Sequence, residues 1–248
     1  MVSNNIVLNT LILKSEFDKG ISQSDIVNDL ITKLSVSNIE IRREFNAEKI
    51  SELVAIREIC LEKKINLFYS VPDNLFLNEH INPKLFQYIG ESQFIGARHL
   101  KMTLGDWNKS LTKELVYLSK ILPKNIQLNI ENDQTLSNSD IALLNNFFET
   151  ADQENINIGF VNDIGNWIFT NQDAYKCSLT LRPFTRFVHL KNYQITGKHI
   201  STTPFDSGEI NWKDVIKLFS NDIPIALEYP STLGNIMTDI NIIQTAKL

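Results

Sequence analysis

Two hydrophobic periods take turns along this chain. Short apolar runs with strand-like alternation are separated by longer amphipathic stretches of helical period. The runs Ile6–Leu13, Asn38–Glu44, Ile65–Val71, Phe94–Thr103, Ile126–Glu131, Ile156–Val161, Arg186–Lys191 and Ile223–Glu228 read as strands. Between and after them, Ser24–Leu34, Ala47–Lys63, Pro83–Glu91, Ser110–Leu122, Ser137–Gln153, Gln172–Leu179, Trp212–Phe219 and Leu233–Gln244 read as helices. Helix starts carry cap signals: Ser24 opens SDIVNDLI, Asn46 precedes AEKISELVAI, and Asn82 is followed by Pro83. Strand and helix in strict alternation predict repeated βα units around a parallel sheet. No proline-rich or glycine/serine-rich linker divides the chain, so one domain over residues 1–248 is expected. Right-handed crossovers leave a closed barrel or an open doubly wound sheet. The open sheet would place a glycine-rich phosphate turn after its first strand, where this chain has LILKSEFDKG. The expected fold is therefore α/β, a single (β/α)8 TIM barrel.

In such a barrel, alternate strand residues face the helices and the interior. Ile126, Leu128 and Ile130 would face out, turning Gln127, Asn129 and Glu131 inward. The same parity turns Asp163, His189, Lys191 and Glu228 inward, with Glu40, Arg42 and Glu44 on the second strand and His99, Lys101 and Thr103 on the fourth. Four runs thus end on a single acidic or imidazole side chain: Glu131, Asp163, His189 and Glu228, with spacings of 32, 26 and 39 residues. The C-terminal strand ends are where barrel active sites lie. Three carboxylates and an imidazole there form a donor set for a divalent cation. Each residue also has a plainer reading. His189 alone could be a hydrogen-bonded core histidine, Glu131 or Glu228 could pair with Lys101 or Lys191, and Asp163 could cap a turn before Gly165. Inward charges are costly unless paired or ligand-bound, and the joint occurrence at one barrel end favours a site.

Composition narrows the function classes. Hydrophobic residues at 43% and charged residues at 21% describe a globular protein, and the net charge of -5 opposes nonspecific nucleic-acid binding. Cys60 and Cys177 are far apart with no CxxC pair, and Cys60 lies in an apolar helical pattern as a small buried hydrophobe. MVSNNIVLNTLILKSEFD has no basic leader region and reads as a first strand; no apolar run reaches the length of a membrane span. A cytoplasmic protein is expected.

Taken in order, the glutamate of NIENDQT, DIGNW at Asp163–Trp167, HLK at His189–Lys191, GEINWKDVIKLF at Gly208–Phe219 and ALEYP around Glu228 resemble the sugar phosphate isomerase/epimerase family of xylose isomerase-like barrels. The ENDQT run, with IRRE in the second strand and LKMTLG in the fourth, is also similar to a subgroup linked to 2-ketogluconate utilisation. The resemblance implies that Glu131, Asp163, His189 and Glu228 bind one divalent metal ion (Mn, Co, Mg or Zn). It further implies that Glu131 and Glu228 are the catalytic acid/base pair of an isomerase or epimerase of a sugar, sugar phosphate or sugar acid, working through an enediolate. Arg42, Glu44, His99, Lys101, Asn166 and Lys191 are the candidate substrate-binding residues, and Trp167 and Phe68 are candidates for an apolar wall. Three departures stand out: Asn166 where many relatives have histidine, Ile195 where ketose epimerases have arginine, and Asp206 where glycine is usual. The first two weigh against ketose epimerisation in particular and keep a non-catalytic sugar-binding barrel as an alternative; a lyase or dehydratase is another, since an enediolate can also expel a β-hydroxyl. Abasic-site endonucleases share the architecture but use many histidines for three metals, and only His80, His99, His189 and His199 are present. The expected partner is a small-molecule carbohydrate, with neither nucleic acid nor membrane; a homodimer is allowed for.

Overall fold

The computed structural model describes residues 5–46 and 49–246. Eight parallel strands close into a barrel: β1 (Ile6–Asn9), β2 (Asn38–Arg42), β3 (Asn66–Leu77), β4 (His99–Gly105), β5 (Gln127–Glu131), β6 (Ile158–Asp163), β7 (Thr185–Leu190) and β8 (Ile225–Leu227). Neighbours in sequence pair in space, β1 pairs with β8, and β2 pairs with both β1 and β3. The principal helices are α1 (Gln23–Leu34), α2 (Ile50–Lys63), α3 (Leu85–Ile95), α4 (Thr112–Ile121), α5 (Ile141–Gln153), α6 (Ala174–Leu181), α7 (Trp212–Ile216) and α8 (Leu233–Ala246). No described helix is long and apolar enough to cross a membrane.

Local chemistry sets the element ends. Asn9 stops β1 short of the expected Leu13, because its side-chain oxygen accepts from Leu11 N at 2.9 Å and folds Thr10–Leu13 into a 3-10 turn. Ser22, rather than Ser24, caps α1 by accepting from Asp25 N at 3.1 Å. Asp140 caps α5 and Asp173 caps α6 in the same way. Phe94 and Ile95, expected in the fourth strand, end α3 instead: Gly96 takes a left-handed φ of 79° and closes the helix before β4 begins. Strand β3 runs past the expected Val71 through an irregularity between Ser70 and Asn74, then turns at Asn78 and Glu79, both at positive φ, to pair with His80–Ile81. Asn82 holds the entry to α3 by accepting from Lys84 N at 3.0 Å. Ala47 and Glu48, where the second helix is expected to begin behind an Asn46 cap, lie outside the described residues.

The main core lies between the strands and the helix ring, where the outward strand residues meet the apolar helix faces. Part of it is aromatic: Phe147 lies 5.2 Å from Trp107 and 5.1 Å from Phe148, edge to face in both cases. A second, smaller cluster fills the barrel interior with Val7, Phe68, Val161, Phe187 and Ala226. Each of these precedes an inward polar residue by two positions: Asn9, Ser70, Asp163, His189 and Glu228. A two-residue period therefore stacks a polar layer directly on an apolar one, and the apolar layer seals the barrel beneath it.

Because Phe147 is fully buried, Phe147→Ala should cost about 3–5 kcal/mol of unfolding free energy, read from chemical denaturation. A loss below about 1 kcal/mol, the level of a surface change, would show that this aromatic cluster does not anchor the helix ring.

Candidate metal centre

The residues that end the strands converge on one cluster. Glu131, Asp163, His189 and Glu228 each offer a ligand atom, and these atoms all lie within 4.8 Å of one another, with all four side chains buried. Glu131 closes β5 and Asp163 closes β6, and Asn132 ties the two ends together. Its amide donates to Asp163 O at 2.9 Å and its oxygen accepts from Asp163 N at 2.9 Å. Asn166 in turn donates to Asn132 O at 2.8 Å. The turn at Asp163 is also the local cap read from sequence, since its Oδ1 accepts from Gly165 N at 3.0 Å. A Cβ on Gly165 would come within 2.5 Å of Lys191 Cγ, so glycine here lets Lys191 lie across the turn.

His189 faces two ways. Nδ1 lies 2.9 Å from Glu131 Oε1 and 3.1 Å from Glu228 Oε2, while Nε2 approaches Glu40 Oε2 at 3.1 Å. Glu40 is fully buried, and Asn9 Nδ2 donates to it at 2.6 Å. Nδ1 is therefore the nitrogen that faces the carboxylates, and Glu40 is the charge close behind the ring at Nε2, which makes no aligned hydrogen bond. Sequence parity had placed Glu40 inward without a role; Asn9 and Asn132 carried no signal beyond sitting at strand ends.

Three cations interleave with these acids. Lys101 Nζ lies 2.7 Å from Glu131 Oε2, 3.6 Å from Glu228 Oε1 and 4.0 Å from Glu40 Oε1. Lys191 Nζ lies 2.6 Å from Asp163 Oδ2 and 3.4 Å from Glu228 Oε2. Arg42 bridges Glu228 and Glu44, at 2.6 Å to each. The pairings read from sequence as the plain alternative are thus present in the same cluster.

Charges packed this closely shift one another. Burial raises the Asp163 carboxyl, and Lys191 only partly offsets it, leaving it pushed up to about 7. For Glu228, burial is outweighed by Lys101, Lys191 and His189, which hold it well below the usual carboxylate range. Glu131 is also lowered, burial being overcome by Lys101. Burial disfavours the His189 imidazolium, but Glu40, Glu228 and Glu131 raise it well above an ordinary histidine.

The donor set suits a divalent cation. Glu131 Oε1 and Asp163 Oδ2 are buried and accept no aligned hydrogen bond, although Nδ1 and Lys191 Nζ lie close by. Lone pairs left over in this way, on two oxygens beside an imidazole nitrogen, fit an ion with carboxylate and imidazole preference.

A cavity of about 430 Å³ opens above the cluster. Arg42, Lys101, Asn166 and Lys191 line it, together with Glu131 and Glu228, whereas Asp163 and His189 lie beneath. Glu44 stays outside as the partner of Arg42. His99 does not reach the cavity: it sits one layer down, stacked at 4.2 Å on Phe68, and burial holds its imidazole down to about 4. Phe68 accordingly forms the floor of the barrel rather than a wall beside a ligand. Trp167 is in the outer core, donating to Asn162 Oδ1 at 3.0 Å. A larger cavity of about 640 Å³ lies between α6 and α7, on the outside of the ring and away from these groups.

No family model and no curated protein matches the chain by sequence. Solved structures do. A xylose isomerase domain containing protein from Salmonella typhimurium LT2 superimposes with a TM-score of 0.74 at 12% identity, over 100% of this chain and 98% of that one. The probable 3-DHS dehydratase AsbF of Bacillus anthracis gives 0.72 at 15% identity, over 97% and 98%. D-allulose 3-epimerase from Methylomonas sp. gives 0.65 at 13% identity, over 94% and 88%. The fold is the xylose isomerase-like TIM barrel. The finer likeness to a 2-ketogluconate subgroup has no counterpart among these structures.

Placing a divalent cation on this cluster requires Asp163 ionised and Nδ1 of His189 unprotonated, and both groups hold protons to neutral pH or above in the ion-free protein. Affinity for Mn2+ should therefore climb between about pH 6 and 8, with protons released as each ion binds. Calorimetry in buffers of different protonation enthalpy reads both quantities; affinity that stays flat over this interval would contradict the electrostatics described.

Proposed function

We propose that this barrel is a divalent-metal-dependent isomerase or epimerase of a sugar, sugar phosphate or sugar acid, working through an enediolate. The observation that carries the reading is a division of labour within the cluster. Of the four candidate ligands, Glu131 and Glu228 line the cavity, while Asp163 and His189 are covered by it. Two ligands are thus purely structural, and two also face the space a substrate would fill.

A divalent cation on these four side chains supplies Lewis acidity toward adjacent carbonyl and hydroxyl oxygens of a substrate, which makes the neighbouring C–H more acidic. The chain's own groups do the rest. Each glutamate turns one oxygen toward His189 Nδ1 (Oε1 of Glu131, Oε2 of Glu228) and the other toward Lys101. Both carboxyls are held below the ordinary range, so both are ionised at neutral pH. Either one can then take the proton from carbon and, now protonated, return it to the adjacent carbon (isomerisation); epimerisation requires the other, approaching from a different strand, to take up a proton from solvent before it delivers one to the opposite face. Glu40 backs His189 at 3.1 Å, and the Asn132 bridge fixes Asp163 against the end of β5. The apolar layer of Phe68, Val161 and Phe187 keeps water from entering below.

Incubating the manganese-loaded protein with candidate aldoses, ketoses and sugar acids in heavy water should place deuterium on the carbon next to the carbonyl. Glu131→Gln and Glu228→Gln should each slow that exchange by about 10²–10⁴-fold, with metal content measured alongside to separate proton transfer from ion loss. A dehydrated, conjugated product would move the assignment to a lyase. Stoichiometric ion with no exchange on any substrate would leave a binding protein.

A further inference from the structure

Glu40 belongs to the buried cluster without being one of the four candidate ligands, and it does not line the cavity. Its two oxygens differ. Oε2 accepts from Asn9 Nδ2 at 2.6 Å and lies 3.1 Å from Nε2 of His189. Oε1 is buried with no hydrogen-bond partner, and Lys101 Nζ stands 4.0 Å from it. A buried carboxylate oxygen left empty in this way needs a reason. Lys101 supplies one. Its side chain is almost fully buried, and its ammonium sits on Glu131 Oε2 at 2.7 Å, with Glu228 Oε1 at 3.6 Å. Of these neighbouring carboxylates, Glu131 and Glu228 are candidate ligands and Glu40 is not.

We infer that Glu40 Oε1 is the seat to which the Lys101 ammonium moves when a divalent cation takes Glu131 and Glu228. The inference rests on the metal-dependent reading of the site, and it adds the residue that lets an ion enter among buried lysines. Charge sets the need. With Asp163 ionised and His189 neutral, the carboxylates of Glu40, Glu44, Glu131, Asp163 and Glu228 balance Arg42, Lys101, Lys191 and a doubly positive ion. Without Glu40 the site would hold an excess positive charge, which burial makes costly and which would weaken the hold on the ion. Position sets the choice. An ion on Glu131 and Glu228 partly neutralises the charge that holds Lys101, while Glu40 keeps its own. A shift of about 1 Å brings Nζ from 4.0 Å to hydrogen-bonding distance of Oε1. Oε2 meanwhile stays with Asn9 and beside His189. One carboxylate thus serves both the imidazole that would bind the ion and the ammonium that gives way to it.

A double-mutant cycle on Mn2+ affinity, read by calorimetry, tests the pairing. Glu40→Gln keeps the shape of the side chain and removes its charge, and it should weaken Mn2+ binding by about 10–100-fold. Glu40 also stands behind His189, and a role confined to the imidazole would weaken binding equally with or without Lys101. The inference predicts instead that in a Lys101→Met background the loss caused by Glu40→Gln shrinks by about threefold or more. An unchanged affinity in Glu40→Gln, or an equal loss in both backgrounds, overturns it. Circular dichroism checks that each variant is folded, and the wild-type protein supplies a test that needs no variant. In crystals grown with and without Mn2+, Lys101 Nζ should lie about 3 Å from Glu40 Oε1 in the loaded form alone. A bound ion with the ammonium still on Glu131 Oε2 overturns this inference and leaves the metal-dependent reading standing. If the wild-type protein binds no Mn2+ at all, that reading fails and this inference falls with it.

Discussion

Everything in this molecule is arranged around a knot of buried charge. Glu40, Glu131, Asp163 and Glu228 are placed with Lys101, Lys191 and His189 inside a barrel whose next layer is Val7, Phe68, Val161, Phe187 and Ala226. Removing so many ions from water is expensive, and only mutual compensation makes it tolerable. The spacing of the charges is therefore strict: contacts of 2.6–3.1 Å tie β2, β4, β5, β6, β7 and β8 to one another through their side chains. Such a cluster adds little net stability, and its persistence is more naturally explained by chemistry than by folding.

The barrel supplies what the cluster needs. Parallel strands end at the same rim, so a residue from the end of each can reach a common point, and the closed sheet leaves no edge for water to enter sideways. Asparagines do the fine placement. Asn9, Asn132 and Asn166 are neutral, can donate and accept at once, and hold carboxylates or strand ends without adding to the charge. The sequence is rich in such residues at strand ends, where the backbone leaves regular pairing and needs partners from side chains.

Much of this was legible from the residue pattern, because both signals obey fixed periods. The two-residue alternation in QLNIE and RFVHLK turns Glu131, His189 and Lys191 inward once a barrel is assumed, and the alternation of strands and helices makes the barrel the natural assumption. What escaped was set by contacts that have no local period. Glu40 has the same parity as Arg42, and nothing along the chain says that it will meet His189 from behind. His99 shares the parity of Lys101, yet one layer of depth separates a residue stacked on Phe68 from one that faces the cavity. Trp167 follows Asp163 closely but turns outward, because Asn162 on the opposite strand face receives its indole N–H. Element ends shifted where local chemistry intervened: Asn9 truncated β1, and α3 runs on to Ile95, at the expense of β4, before Gly96 ends it.

The central claim is that these four strand ends hold one ion among competing lysines. A crystal structure of the protein grown with manganese, with anomalous scattering recorded, tests it most directly. The account predicts a single strong anomalous peak bounded by Glu131, Asp163, Nδ1 of His189 and Glu228, with Lys101 and Lys191 turned away from those carboxylates. A map with no peak there, and both ammonium groups still seated on Glu131 and Asp163, would contradict it.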